Sequence, residues 1–207
     1  MVSKKVMDFV ATQVLSVYDA KIKYKRAHID FVLRRSLQFA AQCNGVNVDM
    51  VYVIAAYHDI GEIDNRETHH IVGANMLRAN EWLPTFFTPD QIETMAAAVE
   101  DHRASSKSAP RTIYGRIVRC ADTVTSIDDF LQLSYGFRLH YGCDMSIEKT
   151  IDDAYDHLVK KFGRNGYTWI KPVYFDDPEY TIFREDALRL SNDKAAFAKR
   201  FRLVNGL

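Results

Sequence analysis

The residues best equipped for chemistry are His58 and Asp59, which stand together where the apolar run Ala55-Ala56-Tyr57 ends and Ile60-Gly61-Glu62 begins. A neutral imidazole nitrogen beside a carboxylate oxygen suits a divalent metal of borderline character such as Zn, Mn or Fe. An isolated pair of this kind is ordinarily a helix-end hydrogen bond or a solvated turn. Its company gives it weight: His28 lies upstream, His69 and His70 follow closely, His102 comes later, and Asp122 sits inside Arg119-Cys120-Ala121-Asp122-Thr123-Val124. A carboxylate beside an apolar stripe needs a capping donor, a basic residue or a metal as partner.

Helical periodicity says which elements carry these side chains. Val6, Phe9, Val10, Val14, Leu15 and Tyr18 predict a first helix, and Arg26 to Ala41 a second, with His28 in its first turn and Asn44-Gly45 as its stop. Asn47 or Asp49 caps the third, in which Val51, Ile54, Ala55 and His58 follow at steps of three and four and place His58 on the buried face. Asp59 lies about 100° further round, so both side chains reach one site only if the helix ends there. Gly61, Asp64 and Asn65 support such an ending. Glu67-Thr68 opens a helix through Ala79 with His69 and Gly73 on one face, where Gly73-Ala74 allows a close approach to a neighbour. Thr88-Pro89-Asp90-Gln91 starts the helix that runs to His102. The loop from Ser105 to Pro110, with Arg103, Lys107 and Arg111 around it, is either an anion-facing lid or a solvated connection. Further helices are expected from Thr112 to about Leu133, from Ser146 to Phe162, and from Asp177 or Pro178 to about Arg202. An aromatic loop with Trp169, Tyr174 and Phe175 spans Gly163 to Asp177.

The composition is that of an ordinary globular chain: 207 residues, 47% hydrophobic and 26% charged, with a formal net charge of zero. Zero net charge gives no global reason to expect binding to nucleic acid or an anionic membrane. Cys43, Cys120 and Cys143 form no CxxC pair and read as reduced packing residues in a cytoplasmic protein. Asp8 and Gln13 interrupt the apolar N-terminal run, which reads as an amphipathic helix rather than a signal peptide or membrane span. The expectation is one domain, 1–207, with a core at about 24–130 and a C-terminal cover at about 135–207.

Taken in order, Ala27-His28-Ile29-Asp30-Phe31-Val32, Tyr57-His58-Asp59-Ile60-Gly61, His69-His70-Ile71-Val72-Gly73-Ala74, Glu100-Asp101-His102 and Ala121-Asp122 resemble the HD-domain superfamily of metal-dependent phosphohydrolases. The resemblance implies an all-α, HD-domain-like helical bundle of five or more helices with a C-terminal helical and loop extension. It implies His28, His58, Asp59 and Asp122 as the ligands of one divalent metal, with His69 and His102 where a second metal's ligands would be and Asp59 bridging the two. His69 is preferred to His70 because it stands four before Gly73. The Gly-Tyr-Pro signature of cyclic-di-GMP phosphodiesterases is missing after His102, and no synthetase domain of the kind in long alarmone enzymes is evident.

The implied function is hydrolysis of a nucleotide or other small phosphate ester by a metal-activated water, with one or two ions of Fe, Mn, Zn, Co or Mg. Asp59 helps generate the nucleophile, while Lys107, Arg111 and Arg116 are the nearest candidates for stabilising the leaving group. Glu62 or Asp64 is a base or an orienter of the ligands. The expected partner is a small phosphorylated substrate such as a nucleotide, with no nucleic acid, no membrane, and a homodimer allowed. Two alternatives stand beside this reading: a di-iron oxygenase of the same superfamily, and a non-catalytic module that binds metal or nucleotide.

Overall fold

The computed structural model describes residues 1–141, 145–169 and 172–207. Cys143 and positions 170–171 of the expected aromatic loop lie outside the described residues, while Cys43 and Cys120 are half-buried. The described residues form helices and turns with no strand, the all-α class expected from the sequence. None of their helices is long and apolar enough to cross a membrane. The chain divides into two compact units, residues 1–122 and 123–207.

In the first unit α1 (Lys4–Phe9) passes through a π-helical stretch, Val10–Leu15, into α2 (Ser16–Lys21). Buried Val10, Val14 and Tyr18 hold this segment to the core, and the Tyr18 hydroxyl donates to the Ala56 carbonyl at 3.0 Å. A 3-10 turn at Lys23–Lys25 leads into α3 (Arg26–Ala40), which packs on α4 (Val48–Tyr57). The Asn47 side chain caps α4 by accepting from the amides of Asp49 and Met50, whereas the Asp49 carboxylate accepts instead from the Ser3 amide at 2.7 Å. α4 ends at Tyr57; His58 is still helical in backbone, but Asp59 (φ −108°, ψ 1°) has left the helix and starts a second 3-10 turn, Ile60–Ile63. This break lets two consecutive side chains turn toward one place.

α5 (His69–Arg78) lies against that turn and against α6 (Pro89–Asp101). The contact with the turn is so close that a methyl group on Gly61 would stand 2.2 Å from the His69 carbonyl oxygen and 2.7 Å from the Gly73 nitrogen. Gly73 likewise brings α5 onto the end of α4, its Cβ position 3.0 Å from the Tyr57 carbonyl oxygen. α6 carries the expected capping box, in which Thr88 and Gln91 bond reciprocally.

α7 (Ile113–Ala121) ends where the sequence pattern predicts continuation to about Leu133. Asp122 is its C-cap, and a fresh helix, α8 (Ile127–Tyr141), begins after Ser126, whose hydroxyl accepts from the Asp129 amide at 3.3 Å. The apolar steps continue through Val124 and Ile127, so periodicity alone hides the break. The connection between α6 and α7 is held down at three places. Arg103 donates to the Glu67 carbonyl at 2.7 Å, Arg111 donates its amide to Asp101 Oδ2 at 2.7 Å, and buried Arg119 bonds both the Asp101 and Ser108 carbonyls at 2.9 Å.

The second unit continues from α8 through α9 (Ile147–Phe162), α10 (Pro178–Leu190) and α11 (Lys194–Asn205). Ser146 caps α9 as its position suggests. The expected single final helix is instead two: the chain turns at Ser191 and Asn192, and Asp193 caps α11 by accepting from the Ala196 amide. Phe130, Leu158, Phe162, Phe183, Phe197 and Phe201 form this unit's core, with Phe162 and Phe183 edge to face at 4.8 Å between ring centroids.

Two substitutions test these supports. Gly61→Ala forces the turn off α5 and should lower unfolding free energy by about 1 to 3 kcal/mol, the usual cost of an extra methyl in a packed site; chemical denaturation with an unchanged midpoint would refute the close approach. Arg119→Ala strips two carbonyls of their donor and should cost about 1 to 3 kcal/mol. It should also raise amide hydrogen exchange across residues 103–112, and unaltered exchange there would show that Arg119 does not tether the connection.

Candidate metal centre

Helix ends deliver every side chain of the cluster. His28 stands in the first turn of α3, His58 and His102 are the C-caps of α4 and α6, His69 is the first residue of α5, and Asp122 is the C-cap of α7. These ends converge so that two groups could each hold a metal ion: His28, His58, Asp59 and Asp122, and Asp59, His69 and His102. All are buried except Asp122, which is half-buried.

Asp59 belongs to both groups, and its two oxygens divide the work. Oδ2 lies 3.7 Å from His28 Nε2 and 3.4 Å from His58 Nε2. Oδ1 lies 3.2 Å from His69 Nε2 and 3.6 Å from His102 Nε2. Asp122 Oδ1 completes the first group, 3.1 Å from His28 Nε2 and 3.6 Å from His58 Nε2. The neighbouring His70 is in neither group; burial and the Arg103 charge lower its pKa to about 4.

The donor set fits a divalent metal on three counts. First, the Nδ1 atoms of His58, His69 and His102 lie 2.7, 2.6 and 2.7 Å from the carbonyl oxygens of Ala55, Arg66 and Val99. A carbonyl can only accept, so each Nδ1 carries a proton, and Nε2 is the nitrogen left to give its lone pair to a metal when the ring is neutral. Second, His69 Nε2 and His102 Nε2 stand 3.0 Å apart. Two nitrogens about 2.0 to 2.1 Å from one ion would be separated by roughly 3.0 Å at a right angle and roughly 3.4 Å at the tetrahedral angle. Third, His58 Nε2 is buried and has no hydrogen-bond partner among the described residues.

The electrostatics agree. Burial alone would raise the Asp59 pKa, but Lys25 and His58 hold it well below the usual carboxylate range, and His28 and His58 do the same for half-buried Asp122. Burial alone would lower the His58 pKa, yet Asp59 and Asp122 raise it to about 10. Two fixed negative charges therefore call for positive charge at His58 Nε2, a demand that a bound cation meets.

The sequence reading missed Lys25. Its ammonium is 2.5 Å from Asp59 Oδ2 and 3.0 Å from Glu62 Oε1, with side chains 12% and 3% exposed for Lys25 and Glu62. The Tyr24 hydroxyl donates to Glu62 Oε2 at 2.9 Å. Glu62 is thus engaged at both oxygens, while Asp64 is exposed. Lys25 belongs to the run Lys23-Tyr24-Lys25-Arg26, and standing three residues before His28 was the one signal that could have drawn attention to it.

The structure does not bring Arg111 into the ligand cluster. Its guanidinium is held by Glu100 at 2.5 Å and Asp101 at 3.0 Å. Lys107 and Arg116 are exposed, on the connection and on α7 respectively. Glu100 also accepts from Arg78 at 2.8 Å, so this ion-pair chain joins α5, α6 and the start of α7.

Among curated proteins and among solved structures no match was found. A family model described as HD domain matches residues 27–127. That span begins one residue before His28 and ends five after Asp122, so the whole ligand cluster lies inside it, and residues 27–127 belong to the HD-domain superfamily.

Proposed function

We propose that this HD domain is a metal-dependent phosphohydrolase with a two-ion centre, acting on a nucleotide or another small phosphate ester. The observation that carries the proposal is the Asp59 carboxylate, which turns one oxygen to His28 and His58 and the other to His69 and His102. On this reading His28, His58, Asp59 and Asp122 hold one ion, and Asp59, His69 and His102 hold the other. Such a pair supplies Lewis acidity at a phosphoryl oxygen and a water acidic enough to attack at neutral pH.

The chain's own residues do the rest. Asp59 and Asp122 keep negative charge in a buried site, and the carbonyls of Ala55, Arg66 and Val99 keep three imidazoles in the tautomer that can donate a lone pair. Lys107 is exposed on the connection that leaves His102 and is the cation proposed to meet substrate phosphate. Arg111, paired with Glu100 and Asp101, serves this reading by holding that connection in place.

The test is elemental analysis of the purified protein, followed by a phosphate-release screen over nucleotides and phosphate esters with the metal found. Asp59→Ala should lose most bound metal and all metal-dependent hydrolysis while staying helical. His69→Ala and His102→Ala should each lose about one metal equivalent, since each removes a ligand from a site with few others, and His70→Ala should lose none. Full metal content in the Asp59 variant would sink the assignment. Oxygen uptake by iron-loaded protein that depends on an organic substrate, without phosphate release, would replace hydrolysis by oxygenation. Lys107→Ala should raise KM with metal content unchanged, and unaltered kinetics would return Lys107 to the solvated surface.

A further inference from the structure

We infer that Lys25 is a positioning residue that fixes the plane of the Asp59 carboxylate and so determines whether the cluster holds two ions or one; this rests on the two-ion reading. Rotation of an aspartate carboxylate about its last bond is soft, with no sharp staggered minima. Left to itself a carboxylate between two cations can turn and place both oxygens on one of them. In this chain Asp59 Oδ2 is pinned from the side by the Lys25 ammonium at 2.5 Å, and Lys25 is pinned in turn by Glu62 Oε1 at 3.0 Å. Tyr24 fixes Glu62 through its other oxygen at 2.9 Å.

An sp2 oxygen has two lone pairs, so Oδ2 can accept from Lys25 and still face His28 and His58 with the other. With Oδ2 held, Oδ1 is directed at His69, 3.2 Å away, and His102, 3.6 Å away. The two groups depend on this unequally. Among the described residues the first has His28, His58 and Asp122 besides Asp59, whereas the second has only His69 and His102. Loss of the Asp59 orientation therefore falls on the second ion.

The sign of the effect separates positioning from charge. Lys25 is a cation beside a cation site, so by Coulomb's law alone its removal should tighten metal binding. If it positions Asp59, removal should loosen the second ion. Titration of metal-free protein with Mn(II), followed by calorimetry and by the electron paramagnetic resonance signal of a coupled ion pair, reads this without any substrate. Wild type should take up two equivalents. Lys25→Met should lose the coupled-pair signal and bind the second ion at least about tenfold more weakly, the usual scale for an outer partner of a ligand. Lys25→Arg, which keeps two donors, should restore the signal. Because Lys25→Met takes from buried Glu62 the nearer of two cations, Arg66 standing 3.9 Å from Oε1, the double variant Lys25→Met with Glu62→Gln checks the same outcome with both charges of that pair removed. Two equivalents, with equal or higher affinity, in a folded Lys25→Met or double variant would overturn the inference and leave the two-ion reading intact. A wild-type protein that binds no more than one equivalent would overturn both.

Discussion

A buried carboxylate must be compensated, and the first unit is arranged around that requirement at Asp59. Four imidazole nitrogens and one ammonium reach its two oxygens, and five helix ends are brought together to supply the surroundings. Burying a carboxylate without partners costs several kcal/mol, more than any single packing contact in the bundle returns. The positions of α3, α4, α5 and α6 relative to one another are therefore constrained by charge as well as by apolar fit. Gly61 and Gly73 are the steric side of the same constraint, since a side chain at either would push α5, and with it His69, away from Asp59.

Placing ligands at helix ends explains the loops. α6 and α7 both run toward the cluster, because His102 and Asp122 are their C-terminal residues. The chain must therefore travel back the length of α7 between them, about 13 Å for nine residues at the helical rise. Residues 103–112 make that return, and Arg103, Arg111 and Arg119 fasten it at its start, end and middle. Sequence reasoning left this basic stretch as either an anion-facing lid or a solvated connection. The structure gives two of its arginines, Arg103 and Arg111, structural partners, and Glu100 and Asp101 hold Arg111 across eleven and ten positions, separations that no helical spacing rule anticipates.

What the sequence made legible was local chemistry. His58 and Asp59 could be read because an imidazole and a carboxylate close an apolar run, and the need for a helix end between them followed from the 100° step per residue. The helix start at Thr88 was equally plain, since a capping box is written in four consecutive residues. The end of α7 at Asp122 was not, because Val124 and Ile127 continue the apolar rhythm and only the polar Thr123, Thr125 and Ser126 mark the interruption. The same holds for the turn at Ser191-Asn192 between α10 and α11. Lys25 was illegible for a different reason. A lysine in a basic run has the same sequence appearance whether it faces water or a carboxylate thirty-four positions away, and apart from its place three residues before His28 only the tertiary fold distinguishes the two.

The bonds from His58 and His102 to the carbonyls three residues before them have a consequence for transplantation. Near a helix C-terminus the last carbonyls lack the amide four residues on, and here the imidazole Nδ1 supplies a donor to Ala55 and to Val99, which also accepts from the His102 amide at 3.5 Å. Each of these ligands is accordingly a four-residue module made of a helix end and its own closing side chain. A designer grafting the centre onto another bundle would have to copy helix lengths to the residue, because one residue more or less turns the closing histidine about 100° away from the site.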